Sequence, residues 1–170
     1  MTATPATELL ESTATISADG QYRYDLVRRW TEGPLALWVM LNPSTADATE
    51  DDKTIQQCTA FSHREHCAGL AVVNLYALRA TDPKELSLHP DPVGPDNVER
   101  LTFWLGQPDD VVARVIVAWG DSIPTNRPHP QVLLLADRFH RPTYCLGAIR
   151  KGRPRHPSRL ALDTPLELYR

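Results

Sequence analysis

Three almost continuous apolar runs constrain the fold of this chain more than any other feature of its sequence. They read LALWVML, LAVVNL and VVARVIVAW, at residues 35–41, 70–75 and 111–119. None approaches the ~18–20 apolar residues that a membrane-spanning helix needs, so a membrane protein is not expected. Runs of this length are typical of strands that are buried on both faces, as in a parallel sheet.

Helix signals fill the gaps between these runs and continue the alternation. Helices are expected at 53–66, 95–105 and 130–140, and a short fourth strand is expected at 143–146. Asp52 stands where an N-cap of the first helix would be. Strands that alternate with helices predict a three-layer α/β/α sandwich with a mainly parallel central sheet.

The N-terminal part of the chain differs in character. Residues 1–19 are rich in Thr, Ala and Ser without a sustained period, so they are expected to form a flexible tail or a loosely docked segment. Apolar and polar residues alternate over 21–30, which predicts a half-buried strand. The turn at 31–34 predicts that this strand forms an N-terminal β-hairpin with 35–41. Residues 20–170 are expected to form a single domain.

Composition narrows the class of protein. Hydrophobic residues make up 42% and charged residues 23%, which excludes a disordered chain. The net charge of −3 argues mildly against a dedicated nucleic-acid binder. Residues 141–170, however, hold seven Lys or Arg and two acids, a local charge of +5. A basic surface is therefore expected at the carboxyl-terminal end.

The cysteines predict reduced thiols. They are three in number, and no segment at the N-terminus resembles a secretory signal, so a cytoplasmic location is expected. Cys58 and Cys67 stand near His63 and His66, but this spacing matches no standard zinc pattern. Neither a metal nor another cofactor is expected.

Polar residues or glycine stand at the carboxyl end of each predicted parallel strand. Asn42 follows the first strand and Asn74 lies near the end of the second. Gly120 closes the third, and His156 lies in the loop after the fourth. In open α/β sheets, ligands bind in the crevice beyond these strand ends. The sequence therefore predicts a ligand site at this edge of the sheet.

Four segments in this order resemble the uracil-DNA glycosylase superfamily: VMLNPS (39–44), AVVNL (71–75), VIVAWG (115–120) and RHPSRL (155–160). The Asn-Pro pair resembles the mismatch-specific branch, and His-Pro-Ser-x-Leu matches the superfamily's late loop residue by residue. The chain is also similar, over nearly all of 20–165, to an uncharacterised bacterial and phage family with the motifs LNPSTAD, NLYALRATDP and RHPS. The superfamily resemblance implies a glycosylase-like α/β fold and a monofunctional DNA glycosylase that hydrolyses the N-glycosidic bond of uracil or a 5-modified uracil.

The chain departs from the superfamily pattern at the residue that handles the attacking water. Asn42 stands where other branches carry an Asp, and an amide cannot take a proton at neutral pH. The general base is then expected to be Asp47, Asp51 or Asp52. Asp52 also suits a helix cap, so Asp47 is the first candidate. The three cysteines are too few for the iron–sulfur cluster of some branches.

The other roles implied by the resemblance concern the base and the DNA. His156, as a neutral imidazole, would donate a hydrogen bond to O2 of the leaving base. The amide of Asn74 would read O4 and N3–H of uracil and reject cytosine. Further base contacts are expected from Pro43, Ser44, Tyr76 and Phe61. DNA contacts are expected from Ser158, Arg155, Arg159, Leu160, Arg153, Lys151 and Arg79. Leu160 suits either a wedge between base pairs or the core, and the two aromatic residues also suit the core.

Two other functions stay open. The low overall charge is compatible with a hydrolase or transferase that acts on free nucleotides or nucleosides. The amide at position 42 is compatible with a non-catalytic binder of modified bases in DNA. The expected state is a monomer without membrane contact, whose partner is DNA containing a damaged or modified base.

Overall fold

The computed structural model describes residues 8–170. They form seven strands and four helices, in the order β1 (Glu11–Ile16), β2 (Arg23–Arg29), β3 (Leu35–Met40), α1 (Lys53–Arg64), β4 (Gly69–Asn74), α2 (Lys84–Leu88), α3 (Asn97–Leu105), β5 (Val112–Val117), α4 (Val132–Arg138), β6 (Thr143–Cys145) and β7 (Glu167–Leu168). No helix among the described residues is long and apolar enough to cross a membrane.

All seven strands belong to one sheet, in the spatial order β1-β2-β4-β3-β5-β6-β7. The central strands β4, β3, β5 and β6 run parallel, whereas β1, β2 and β7 are antiparallel to their neighbours. Helix α1 covers one face of the sheet, and α2, α3 and α4 cover the other. The predicted α/β sandwich with a mainly parallel central sheet is confirmed.

The order of the parallel strands creates a crevice at one edge of the sheet. Counted along the chain, they lie in the spatial order 2-1-3-4, with β3 between β4 and β5. The chain therefore leaves β3 toward one side and returns later on the other. Loops that follow the central strands diverge at such a switch point and leave room for a ligand.

Each face of the sheet has its own hydrophobic core. On the α1 side, Trp38 and Phe61 are fully buried, and the Trp38 indole donates to Ser62 Oγ at 2.9 Å. On the other side, Leu101 and Leu105 of α3 pack against the sheet. The strands β3 and β4 are buried on both faces, which explains their continuous apolar sequence.

The expected hairpin between 21–30 and 35–41 is wrong. Strand β2 pairs antiparallel with β4, and β3 lies on the far side of β4. The hairpin partner of β2 is β1, which occupies residues 11–16 of the expected flexible tail. Strand β1 has the mostly polar sequence ESTATI, which does not alternate as a half-buried strand would. Its β-branched residues Thr13, Thr15 and Ile16 nevertheless favour a strand, and this strand lies at the edge of the sheet. Residues 1–7 of that expected tail lie outside the described residues.

A β-bulge interrupts the alternation of β2. Asp25 pairs with Thr15, but Arg23 pairs with Ile16, which leaves Tyr24 as the extra residue. Bulges shift the side chains that precede them to the other face of the sheet. Tyr24 therefore packs into the α3 core, while Arg23 points to the face that Leu26 shares with α1. The strand is buried on both faces rather than half-buried as expected.

Candidate functional site

A cavity of about 310 Å³ opens at the carboxyl ends of β3, β4 and β5. This volume lies at the lower end of the ~300–1,000 Å³ of small-molecule sites. The residues that line it come from seven separate stretches of the chain: Arg23, Met40–Asn42 and Ser44, Asp52 with Thr54 and Ile55, Val72 and Asn74, Ala80 with Thr81 and Pro83, Trp119–Ser122, and His156. The site at this sheet edge thus brings together Asn42, Asn74, Gly120 and His156, as the sequence predicts.

Asn42 is held rigidly by the backbone around it. Its Nδ2 donates to the carbonyl of Ala80 at 2.8 Å and to that of Pro43 at 3.0 Å. The amide of Ala80 in turn donates to the Pro43 carbonyl at 3.0 Å. With both amide hydrogens used, the side-chain oxygen of Asn42 is the group available to accept from a water or a substrate.

Asn74 is a buried amide without hydrogen-bond partners. It is 1% exposed, and neither Oδ1 nor Nδ2 has a partner among the described residues. Its backbone carbonyl is paired, because it accepts from Nδ2 of Asn97 at 3.0 Å. An amide left unpaired in a protein interior costs about 1–3 kcal/mol for each unsatisfied group. A ligand in the cavity would supply the missing donor and acceptor.

The His-Pro-Ser turn fixes the tautomer of His156. Nδ1 accepts from the backbone amide of Ser158 at 3.2 Å and lies 2.7 Å from Ser158 Oγ. A nitrogen that accepts a backbone N–H carries no proton, so the neutral ring has its proton on Nε2. Burial lowers the pKa of His156 below its ordinary value of 6.5, against the opposing charge of Asp52. The imidazole is therefore a neutral Nε2–H donor at neutral pH.

Asp47, the first candidate for the general base, does not line the cavity. Its carboxylate accepts from the backbone amides of Thr49 and Glu50, at 2.8 and 2.9 Å, and these bonds lower its pKa. It therefore stabilises its own loop. Asp52 lines the cavity instead, and it also caps α1 by accepting from the Ile55 amide at 2.9 Å. The cap uses one carboxylate oxygen, so Asp52 both caps the helix and presents a carboxylate at the cavity wall.

Asp51, the third acidic alternative, is part of a brace under this loop. Its carboxylate lies 2.7 Å from the buried guanidinium of Arg28. Arg28 also donates to the backbone carbonyl of Asp47. The brace fixes the loop that carries Asp52 to the cavity.

Arg23 is a cavity residue that sequence reasoning missed. Its side chain is buried, and Nη1 donates to the Ala46 carbonyl at 2.6 Å. Burial lowers the pKa of its guanidinium to about 10, with Asp52 opposing the shift, so Arg23 stays charged at neutral pH. Strict alternation places Arg23 opposite to Leu26 in β2, and only the bulge at Tyr24 brings it to the cavity. The signal in the sequence for such a residue is an arginine at the start of a strand that is otherwise mostly buried.

Tyr76 and Phe61, the expected base-stacking residues, do not line the cavity. Tyr76 is fully buried in the core on the α3 side, where its hydroxyl donates to the Arg127 carbonyl at 3.2 Å. Phe61 is fully buried between α1 and the sheet, beside Trp38. Both positions are core positions, and neither aromatic ring is available to a ligand.

Pro43 and Ser44 follow β3 at the cavity. Ser44 lines it. Pro43 is buried, and its carbonyl holds the Asn42 and Ala80 amides in place. Pro43 therefore shapes the loop, and Ser44 is the residue that reaches the cavity.

The carboxyl-terminal basic loop surrounds His156 but is partly neutralised. Arg155, Ser158 and Arg159 are exposed beside it. Arg153 pairs with Asp121 at 2.6 Å, and Lys151 lies 4.0 Å from the same carboxylate.

Leu160 and Arg79 lie apart from the exposed basic residues. Leu160 is half-buried against the α1 core, and its carbonyl accepts from Gln57 at 2.7 Å. The core alternative thus describes Leu160, rather than a free wedge. Arg79 is half-buried at the start of the 79–85 loop and does not line the cavity.

Among residues 8–170, no group of three or more His, Cys, Asp or Glu side chains is arranged to hold a metal ion. Cys58, Cys67 and Cys145 are all buried and free. The chemistry available in the cavity is therefore that of two amides, a neutral imidazole, two carboxylates and a guanidinium. Such a set can hold a planar polar ligand, orient a water and stabilise developing negative charge.

Comparison with known proteins gives one match. No curated protein and no solved structure is similar enough to the chain to count as a match. The model of a family described as protein of unknown function (DUF1643) matches residues 23–158. The match includes the whole cavity lining, from Arg23 to His156. The expected membership of an uncharacterised family is confirmed, and the chain belongs to the DUF1643 family of proteins of unknown function.

Proposed function

We propose that the protein is a monofunctional DNA glycosylase that hydrolyses the N-glycosidic bond of uracil or a 5-modified uracil in DNA. The observation that carries the proposal is the unpartnered amide of Asn74 in the same cavity as the Nε2–H donor of His156. The resemblance of the LNPS and HPSRL segments to uracil-DNA glycosylases supports it. In this proposal Asn74 reads the base, His156 stabilises the leaving group, and Asn42 and Asp52 handle the water.

Base recognition rests on Asn74. Its amide offers one acceptor and two donors, which complement N3–H and O4 of uracil. Cytosine presents the opposite pattern at these two positions. A rigid buried amide would be left unpaired against cytosine, at a cost of about 1–3 kcal/mol for each group. The hydrogen bonds from Asn97 to the backbone carbonyls of Asn74 and Leu75 hold this end of β4 in place.

Stabilisation of the leaving base rests on His156. Cleavage of the glycosidic bond leaves negative charge on the base, which spreads to O2. A neutral imidazole in a partly buried cavity stabilises that charge by donating a hydrogen bond from Nε2–H, and it keeps its proton. One well-placed donor of this kind is worth about 3–4 kcal/mol in related sites that bind developing oxyanions. Ser158 acts as a positioning residue, because it occupies Nδ1.

The attacking water is assigned to Asn42 and Asp52. The Asn42 side-chain oxygen accepts one hydrogen of the water, since its Nδ2 is already occupied. Asp52 and Asp121 both line the cavity, and Asp52 is assigned to take the proton because Asp121 is paired with Arg153. Asp52 replaces Asp47 in this role. The proton moves from water to a carboxylate oxygen as the water oxygen bonds to C1′ and the base leaves.

The proposed DNA contacts lie around the cavity mouth. A base inside duplex DNA must rotate out of the stack to reach such a cavity. Arg155, Ser158 and Arg159 are exposed next to His156 and are assigned to phosphate contacts. The proposal includes a monomeric enzyme, because one chain supplies every group named. It also includes a cytoplasmic location, which agrees with three free thiols.

The proposal is tested with duplex and single-stranded oligonucleotides that carry one uracil, opposite adenine or guanine where paired. After incubation with the protein, alkali cleaves the strand wherever a base has been released. We expect cleavage with the native protein and a loss of at least about 100-fold in His156→Ala. His140→Asn is the matched control, because His140 is exposed after α4 and has a positive φ that asparagine tolerates. No cleavage of any uracil or 5-modified uracil substrate would refute the proposal.

A second candidate function is hydrolysis of a free nucleotide or nucleoside. The pairing of Arg153 and Lys151 with Asp121 favours it, because this carboxylate offsets one of the positive charges on the surface that would bind DNA. Salt dependence separates the two functions. Binding of a polyanion weakens steeply with salt, whereas binding of a nucleoside hardly changes.

A further inference from the structure

Two arginines of β2 are buried against the loop that follows β3, and they differ in their partners. Arg28 is 2% exposed and lies 2.7 Å from the Asp51 carboxylate. Arg23 is also 2% exposed, but its one protein acceptor is the Ala46 carbonyl, and its Nε has no partner. Among residues 8–170, no carboxylate oxygen lies within 4.0 Å of a guanidinium nitrogen of Arg23, so Arg23 forms no ion pair there.

A buried cation without a close counterion is unfavourable unless something else provides the negative charge. Guanidinium groups in protein interiors are usually paired with a carboxylate or a phosphate. Arg28 has such a partner within the chain, since its Nε and Nη2 both contact Oδ1 of Asp51, whereas Arg23 has none. Asp52 also lines the cavity, but it acts on Arg23 at longer range and uses one oxygen to cap α1. The open donor of Arg23 therefore calls for an acceptor from outside the chain.

The depth of Arg23 indicates which part of a ligand it meets. Arg23 and Asn74 are each at most 2% exposed, and both carry polar atoms without partners. Asp121, which lines the same cavity, has a side chain that is 51% exposed. The innermost part of an occupant thus faces a guanidinium and an amide. A phosphate of the DNA backbone would stay at the mouth, beside the exposed Arg155 and Arg159.

We propose that the cavity selects pyrimidine bases that carry a carboxylate, with Arg23 pairing the carboxylate while Asn74 reads the imide edge of the ring. This inference rests on the proposed function and deepens it, since it makes 5-carboxyuracil in DNA the preferred substrate among 5-modified uracils. No bond is made or broken by Arg23. It acts as a specificity-determining residue through charge and hydrogen bonding.

One experiment compares two ligands of equal shape and different charge. The free bases 5-carboxyuracil and 5-carbamoyluracil are titrated into the full-length protein by calorimetry at neutral pH. We expect the carboxylate to bind at least about tenfold more tightly, as is typical of a hydrogen bond to a charged group. In Arg23→Gln the ratio of the two affinities should fall close to one. Arg23→Lys keeps the charge without the fork, and we expect an intermediate ratio.

Folding of the variants is checked by thermal unfolding and circular dichroism. Gln at position 23 removes the charge and still carries an N–H donor. If Arg23→Gln does not fold, the ratio measured with the native protein still decides the inference. Equal affinity for the two bases would overturn it.

A parallel assay separates this inference from the proposed function. Oligonucleotides that carry uracil, 5-carbamoyluracil or 5-carboxyuracil are assayed for alkali-sensitive sites. Excision of uracil without any preference for the carboxylate in either assay would refute the inference and leave the glycosylase proposal standing. A preference among free bases that depends on Arg23, without release of any base from DNA, would support the inference and refute the glycosylase proposal.

Discussion

Replacing Asn74 with leucine is expected to stabilise the fold and to abolish recognition of the base. Asn74 is 1% exposed, and both polar atoms of its side chain lack partners. Each buried group left unsatisfied costs about 1–3 kcal/mol, and leucine has no polar atom to satisfy. The neighbouring Val72 and Met40 already provide an apolar surface. Leucine has the same four-atom branched side chain as asparagine, with two methyl groups in place of the oxygen and the nitrogen, so overpacking is small.

The magnitude follows from these two groups. The sum of two penalties at the lower end of the range is about 2 kcal/mol, which we take as the expected gain in the free energy of unfolding. For a domain of this size, each kcal/mol raises Tm by about 2–4 °C. A gain of stability on removing a site residue is the usual sign of a group kept for function rather than for folding.

Asn97→Leu is the matched control, because Asn97 is also a fully buried asparagine next to β4. Its Nδ2 donates to the carbonyls of Asn74 and Leu75, at 3.0 and 3.2 Å. Asn97 Oδ1 has no partner, but losing both bonds from Nδ2 outweighs the removal of that one unsatisfied oxygen, and the net result is expected to be a loss of about 1 kcal/mol. Urea unfolding of the two variants and of the native protein gives the comparison, and the alkali assay gives the loss of base release. A decrease in stability in Asn74→Leu as large as in Asn97→Leu would refute the reasoning.

Three further predictions concern the frame of the site. Gly120→Ala should lower stability by about 1–2 kcal/mol in urea unfolding, because φ at Gly120 is +73° and the new Cβ would lie 3.4 Å from Cβ of His156; an unchanged midpoint would contradict this. Arg28→Met should cost about 2 kcal/mol and make the loop at Asp51 sensitive to protease, because it removes the hydrogen bonds of a buried guanidinium to the Asp51 carboxylate and the Asp47 carbonyl, and a resistant loop would argue against the brace. Burial lowers the pKa of His156, so its contribution to stability is present above pH 6.5 and is lost as pH falls below it. Titration of the ring by NMR should show a midpoint below 6.5, and a raised midpoint would exclude the neutral donor.

Most of the sheet and the edge that carries the site follow from local sequence. The apolar runs of β3, β4 and β5 are long enough to identify buried strands, and helices between them require parallel pairing. The carboxyl ends of parallel strands lie at the same edge of a sheet, so the sequence predicts that Asn42 and Asn74 lie near each other. This inference needs no knowledge of which strand pairs with which.

Strand pairing and the facing of individual side chains were decided by the tertiary structure alone. The hairpin partner of β2 is β1 rather than β3, because the pairing depends on contacts far apart in the sequence. The bulge at Tyr24 turns Arg23 into the cavity, and a single extra residue of this kind reverses the face of its neighbours. Asp47 and Asp52 are chemically alike in the sequence. Only the local hydrogen bonds of the folded loop keep Asp47 out of the cavity and bring Asp52 to its wall.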